Sequence, residues 1–170
     1  MSPRPESPGS GKGAAPVPHV FMGKAISGHP PAFRWYGEGV FLHRIVDSDA
    51  ARAFAGLAQH LLKASGDISA SEARVLFLML GELGFGVDRL DPSEDLEVLA
   101  GRITHPHARK AALIELYRLA FADGVFKPAE RDVVERIAAV WGVDAERRAA
   151  LRGWVERHMA LLEEGEQLIG

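Results

Sequence analysis

The chemistry this sequence offers rests mainly on carboxylates. Asp123 and Glu130 bracket a glycine turn in Ala122-Asp123-Gly124-Val125-Phe126-Lys127-Pro128-Ala129-Glu130, and carboxylate oxygens are the hard donors that Ca²⁺ and Mg²⁺ prefer. Glu72 stands in the same register behind an earlier glycine, Gly66. Glu115 and Arg118 interrupt an apolar run at a spacing of three, which puts them on one helix face as an ion pair. Facing a groove, the same pair would bind a ligand or a partner. His105 and His107 flank Pro106, but alternate positions at a helix start point apart and no further metal ligand is near in sequence.

The spacing from Gly124 to Glu130 is that of the calcium loop in an EF-hand, where glycine takes position 6 and a bidentate glutamate position 12. Asp123 would then take position 5. Positions 1 and 3 would fall on Leu119 and Phe121, and in the earlier stretch on Leu61 and Lys63, none of which ligates calcium. A regular EF-hand is excluded, and an ion here needs donors from elsewhere. The same residues also have a purely structural reading. Gly124 suits the left-handed residue after a helix, Pro128 and Glu130 form an ordinary helix start, and Asp123 can hydrogen-bond its own turn.

Other chemistries lack their residues. The chain has no cysteine, so there is no thiolate nucleophile, disulfide or sulfur-ligated zinc. It contains no Gly-x-Ser-x-Gly elbow and no His-Glu-x-x-His, and Gly9-Ser10-Gly11-Lys12-Gly13 neither follows a strand nor opens a helix. A non-enzymatic protein is expected. The formal net charge of -3 argues against a nucleic-acid partner, which calls for a clustered basic face. No apolar run approaches the ~20 residues of a membrane span and no secretory h-region is visible, so a cytoplasmic location is expected.

These residues must be positioned by helices. With 170 residues, 47% of them hydrophobic, the composition is that of one ordinary globular domain. Residues 1–40 are rich in proline and glycine, which predicts a disordered or extended segment. Within it Phe21, Met22, Ile26, Phe33, Trp35 and Tyr36 offer apolar groups that would pack on the body or dock a partner. From 41 to 170 the pattern is helical, and no strand pattern is visible. Helices are predicted over about 49–64, 70–83, from Asp91-Pro92 to Gly101, from His105 to Ala122, 128–141 and from Asp144 to about Glu163, each behind a capping residue. The expected fold is all-α, a bundle of about six to seven helices.

Two parts of the body repeat. Aligning Gly66 with Gly124 superposes Leu61-Leu62-Lys63-Ala64-Ser65-Gly66-Asp67-Ile68-Ser69-Ala70-Ser71-Glu72 on Leu119-Ala120-Phe121-Ala122-Asp123-Gly124-Val125-Phe126-Lys127-Pro128-Ala129-Glu130, with Gly84 falling on Gly142. Such self-similarity marks a duplicated supersecondary unit, here a helix-turn-helix.

The second copy, Leu-Ala-x-Ala-Asp-Gly-x-x-x-x-x-Glu followed by an amphipathic helix and glycine, resembles the core motif of the TerB-like (tellurite-resistance) family, which also includes the cytosolic part of a membrane-anchored J-domain co-chaperone. The resemblance spans roughly residues 50–160; in the first copy Ser65 replaces the aspartate. It implies a helical bundle linked to tellurite and other stress responses, with a divalent cation held by acidic residues. Residue by residue, that role falls on Asp123 and Glu130, and on Glu72. The alternative is a metal-free adaptor that binds a protein partner through the N-terminal aromatic segment and its helical surface, with Glu115 and Arg118 in a groove.

Overall fold

The computed structural model describes residues 39–86 and 93–170. Most of the segment 1–40 and the Asp91-Pro92 helix start therefore lie outside the described residues. Among the described residues there are six α-helices and no strand. They are α1 (Ser48–Ala64), α2 (Ala70–Glu82), α3 (Leu96–Arg102), α4 (Pro106–Ala120), α5 (Pro128–Val140) and α6 (Ala145–Ile169), preceded by a single 3₁₀ turn, Leu42–Arg44.

The caps place the starts. Asp47 accepts from the amides of Asp49 and Ala50 at 2.6 and 3.1 Å, and Asp144 accepts from Arg147 at 2.7 Å, each satisfying first-turn donors that have no partner inside the helix. Ser69 and Glu72 form the expected capping box. Two ends differ from expectation. Helix α3 starts later, with Asp95 as its cap, because this side chain takes up the amide of Glu97 at 2.9 Å. Helix α6 runs past Glu163 to Ile169, through residues that include no proline to stop it.

The duplication extends to three of the four element boundaries. A shift of 58 carries the start of α1 onto that of α4, and both ends of α2 onto those of α5. Helix α1 packs on α3, α4 and α5, while α4 also meets α2, α6 and the 3₁₀ turn. The core gathers Phe54, Leu57, Leu61, Leu113, Leu116 and Ile137, all essentially inaccessible. Trp141, closing α5, donates its indole N–H to Ala100 O at 2.7 Å and ties α5 to α3. Helix α6 buries only Val155, and Glu146, Arg147, Glu156, Arg157, Glu163 and Glu164 on it are exposed.

Candidate functional site

In each copy the chain leaves a helix through a left-handed glycine, Gly66 and Gly124, both at φ 83°, and re-enters a helix four residues later. A side chain at this φ would be strained. The turn brings the third residue of the following helix back over its own cap. Glu72 Oε2 accepts from Ser69 N at 2.6 Å and Glu130 Oε2 from Lys127 N at 3.0 Å. Asp123 Oδ1 accepts from Val125 N at 3.0 Å. The structural roles expected of these acids are therefore real, but they use only one oxygen of each.

The other oxygens converge on one atom. Lys127 Nζ lies 2.9 Å from Glu72 Oε1, 3.1 Å from Asp123 Oδ2 and 3.4 Å from Glu130 Oε1. Glu72 and Glu130 are fully buried, while Asp123 and Lys127 remain partly accessible. The acids predicted from sequence are thus brought together, Glu72 with them, and the position a cation would take is held by an ammonium. Among the described residues, no group of three or more His, Asp or Glu side chains is arranged to hold a metal ion as it stands. Sequence reasoning missed Lys127. Its signal was available: it aligns with the cap Ser69, yet a lysine has no acceptor to offer a helix start.

Electrostatics distinguish the two equivalent glutamates. Burial pushes the Glu72 carboxyl up, but the Lys127 ammonium and the Ser69 cap outweigh it and hold it below its ordinary value. Burial also pushes Glu130 up, and its neighbour Glu72 adds to the rise, so that it ends above its ordinary value. The Lys127 ammonium is held well above its usual range, chiefly by its hydrogen bond to Glu72. Glu130 Oε1 is buried and accepts no hydrogen bond among the described residues, its contact with the Lys127 ammonium at 3.4 Å being an ion pair alone.

A cavity of about 500 Å³ opens beside this cluster, lined by Asp123, Ser71, Glu156 and Glu163 over Val75 and Met159. It is lined by neither Glu115 nor Arg118. Those two form the helical ion pair, 2.6 Å between Glu115 Oε2 and Arg118 Nη1, and both are buried. Glu115 Oε1 also accepts from Phe41 N at 2.6 Å, so the strand of chain entering the 3₁₀ turn lies across the pair. Burial raises the Glu115 carboxyl despite Arg118 and the Phe41 amide. His105 and His107 have ring centroids 5.5 Å apart on an exposed helix start.

Architecture and site together define an all-α module made of two helix-turn-helix copies that share one acidic centre. The chain belongs to the TerB family: residues 51–153 match the family model described as tellurite resistance protein TerB. No curated protein and no solved structure shows significant similarity to it. No helix among the described residues is long and apolar enough to cross a membrane.

Proposed function

We infer that this chain is a non-enzymatic, stress-associated module of the tellurite-resistance kind, and that its acidic centre takes up a divalent cation of the Ca²⁺ or Mg²⁺ class in exchange for the ammonium of Lys127. The observation that carries this reading is the convergence of Glu72, Asp123 and Glu130 on a single cationic atom. One ammonium faces three carboxylates, and burial, with Glu72 adding to it, holds Glu130 above its ordinary value. An all-oxygen donor set suits a hard cation that keeps several waters, and the adjoining cavity supplies room for them and a route from solvent. Lys127 is long and partly exposed, so its head can swing into water while its stem stays in place.

Calorimetric titration of chelator-treated protein with Ca²⁺, Mg²⁺, Mn²⁺ and Zn²⁺ tests the reading against the double variant Asp123→Asn/Glu130→Gln. Saturable heat in the parent chain and its loss in the variant are expected. No heat at millimolar metal, or equal heat in the variant, removes the cation. The adaptor reading then takes its place, supported by the exposed Leu161, Leu168 and Ile169 along the distal half of α6.

A further inference from the structure

The three helices that hold the start of the described chain are also the three that wall the cavity beside the acidic centre. Gly39 N donates to Glu82 Oε2 of α2 at 2.8 Å and Phe41 N to Glu115 Oε1 of α4 at 2.6 Å, while the Phe41 ring lies 5.7 Å from that of Trp154 on α6. The cavity of about 500 Å³ is lined by Ser71 and Val75 of α2, by Phe121 and Ala122 at the end of α4, and by Glu156, Met159 and Glu163 of α6. On α2, Ser71, Val75, Leu78 and Glu82 follow one another at helical spacing on a single face. Helices α2 and α6 both pack on α4, so the space between them runs from Gly39 and Phe41 at one end to the cavity at the other.

The described residues cover this groove incompletely. Leu78, Phe121, Ala122 and Met159 are only half-buried and Ala160 is exposed. No Lys, Arg or His lines the cavity. Of its carboxylates, Asp123 is matched by Lys127 and Glu156 by Arg152, which leaves Glu163 without an ion pair among the described residues. The residues that precede Gly39 are Phe33-Arg34-Trp35-Tyr36-Gly37-Glu38, and residues 1–38 hold Arg4, Lys12, Lys24 and Arg34 against Glu6 and Glu38, so the segment brings positive charge and aromatic rings to an apolar groove with an unmatched acid.

We propose that the groove between α2 and α6 is the docking site of the chain's own N-terminal segment, with Trp35 seated in the cavity and Arg34 at its rim beside Glu163. The reach fits. Met159 and Glu163 stand five and nine residues beyond Trp154, roughly 8 to 14 Å at ~1.5 Å per helical residue. An extended chain covers ~3.3 Å per residue, so the third or fourth residue before Gly39, which is Tyr36 or Trp35, arrives at the cavity. Alternation in an extended segment turns Trp35 to the same side as Phe41, whose ring already rests on α6. Phe121 offers the indole an aromatic partner and Met159 a thioether. Docked there, Trp35 lies across the route from solvent to the acidic centre; that consequence rests on the cation reading, whereas the docking does not.

The chain has no cysteine, so a nitroxide attached to Tyr36→Cys in the full chain reports from one position only. The sample is kept in chelator, which makes the outcome independent of any cation. The label should broaden away the amide signals of Ser71, Phe121, Ala122, Met159 and Ala160, equally at every dilution, and leave those of Leu99 and Trp141 in place. Adding Trp35→Ser, a change outside the described body, should restore the lost signals. Glu163→Lys should restore them in part, because it sets a second positive charge against Arg34. The proposal is overturned if no signal is lost, if the loss falls elsewhere, or if Trp35→Ser leaves it unchanged. It is overturned too if the loss appears in a mixture of labelled, isotope-free chain with unlabelled, isotope-enriched chain, which would give the groove to a second copy. Loss that Glu163→Lys leaves untouched would overturn the pairing with Arg34.

Discussion

Glu72 and Glu130 hold the same position in the two copies and meet the same ammonium, with Oε1 atoms 2.9 and 3.4 Å from Lys127 Nζ. Each uses its second oxygen to hold the amide of its own helix cap. Two fully buried carboxylates so close together repel unless a cation or a proton lies between them. Lys127 is that cation, and its removal has consequences for stability, pH response and metal uptake.

Lys127→Met keeps the apolar stem and deletes the charge. Removing one partner of a buried ionic cluster costs about 3–5 kcal/mol; Lys127 is partly exposed, so a discounted loss of about 2 kcal/mol is expected near neutral pH, read from urea unfolding. A change below about 0.5 kcal/mol would mean that the carboxylates find other partners.

The same variant should change how stability depends on pH. In the parent chain Glu72 is held below its ordinary value, so its contribution is present above the unfolded glutamate pKa and is lost as pH falls through the folded one. Glu130 is raised and acts oppositely: its contribution is full below the unfolded pKa and is lost as pH rises through the folded value. Without Lys127 both acids belong to the second class. Unfolding free energy of Lys127→Met should fall as pH rises from 4 to 7, while the parent is expected to change less over the same range because its two acids oppose one another.

Divalent metal should compensate for the missing ammonium. Ca²⁺ that binds only the folded chain adds about 2.7 kcal/mol at 100 times Kd, and Lys127→Met presents the carboxylates without a competitor. Its midpoint of thermal unfolding should therefore rise more with added Ca²⁺ than that of the parent, and adding Glu130→Gln should abolish the gain. Equal shifts in all three proteins would place the metal elsewhere.

Much of this was legible in the sequence because it rests on local chemistry. Asp47, Ser69 and Asp144 announce helix starts through acceptors at fixed offsets, and Gly66 and Gly124 announce turns because few other residues tolerate their φ. Asp123, Glu130 and Glu72 were found by register alone. What escaped depends on contacts between distant segments. Lys127 reaches across 55 residues to Glu72, and nothing local assigns a lysine to a buried acid. At Gly56, inside α1, an added Cβ would lie 2.8 Å from Leu99 Cδ1, a constraint set by α3.

Glu115 and Arg118 supply the last prediction, because the pair is buried at 0% and 2% exposure where the sequence allowed either an ion pair or a groove. Glu115→Gln removes the negative charge that Glu115 sets 2.6 Å from the Arg118 guanidinium and should cost about 3 kcal/mol. The side-chain amide oxygen that Glu115→Gln retains can still accept from Phe41 N, so the contact of the Phe41 and Trp154 rings, 5.7 Å between centroids, should persist and tryptophan fluorescence of the folded state should change little. Replacing both partners, as Glu115→Leu/Arg118→Met, removes the buried charges together and should recover much of the stability, because desolvation offsets most of what such a pair contributes. The amide of Phe41 loses its acceptor only in the double variant, so the fluorescence change should appear there. A double variant no more stable than Glu115→Gln would show instead that the charges themselves, rather than their being left unmatched, hold this part of the core.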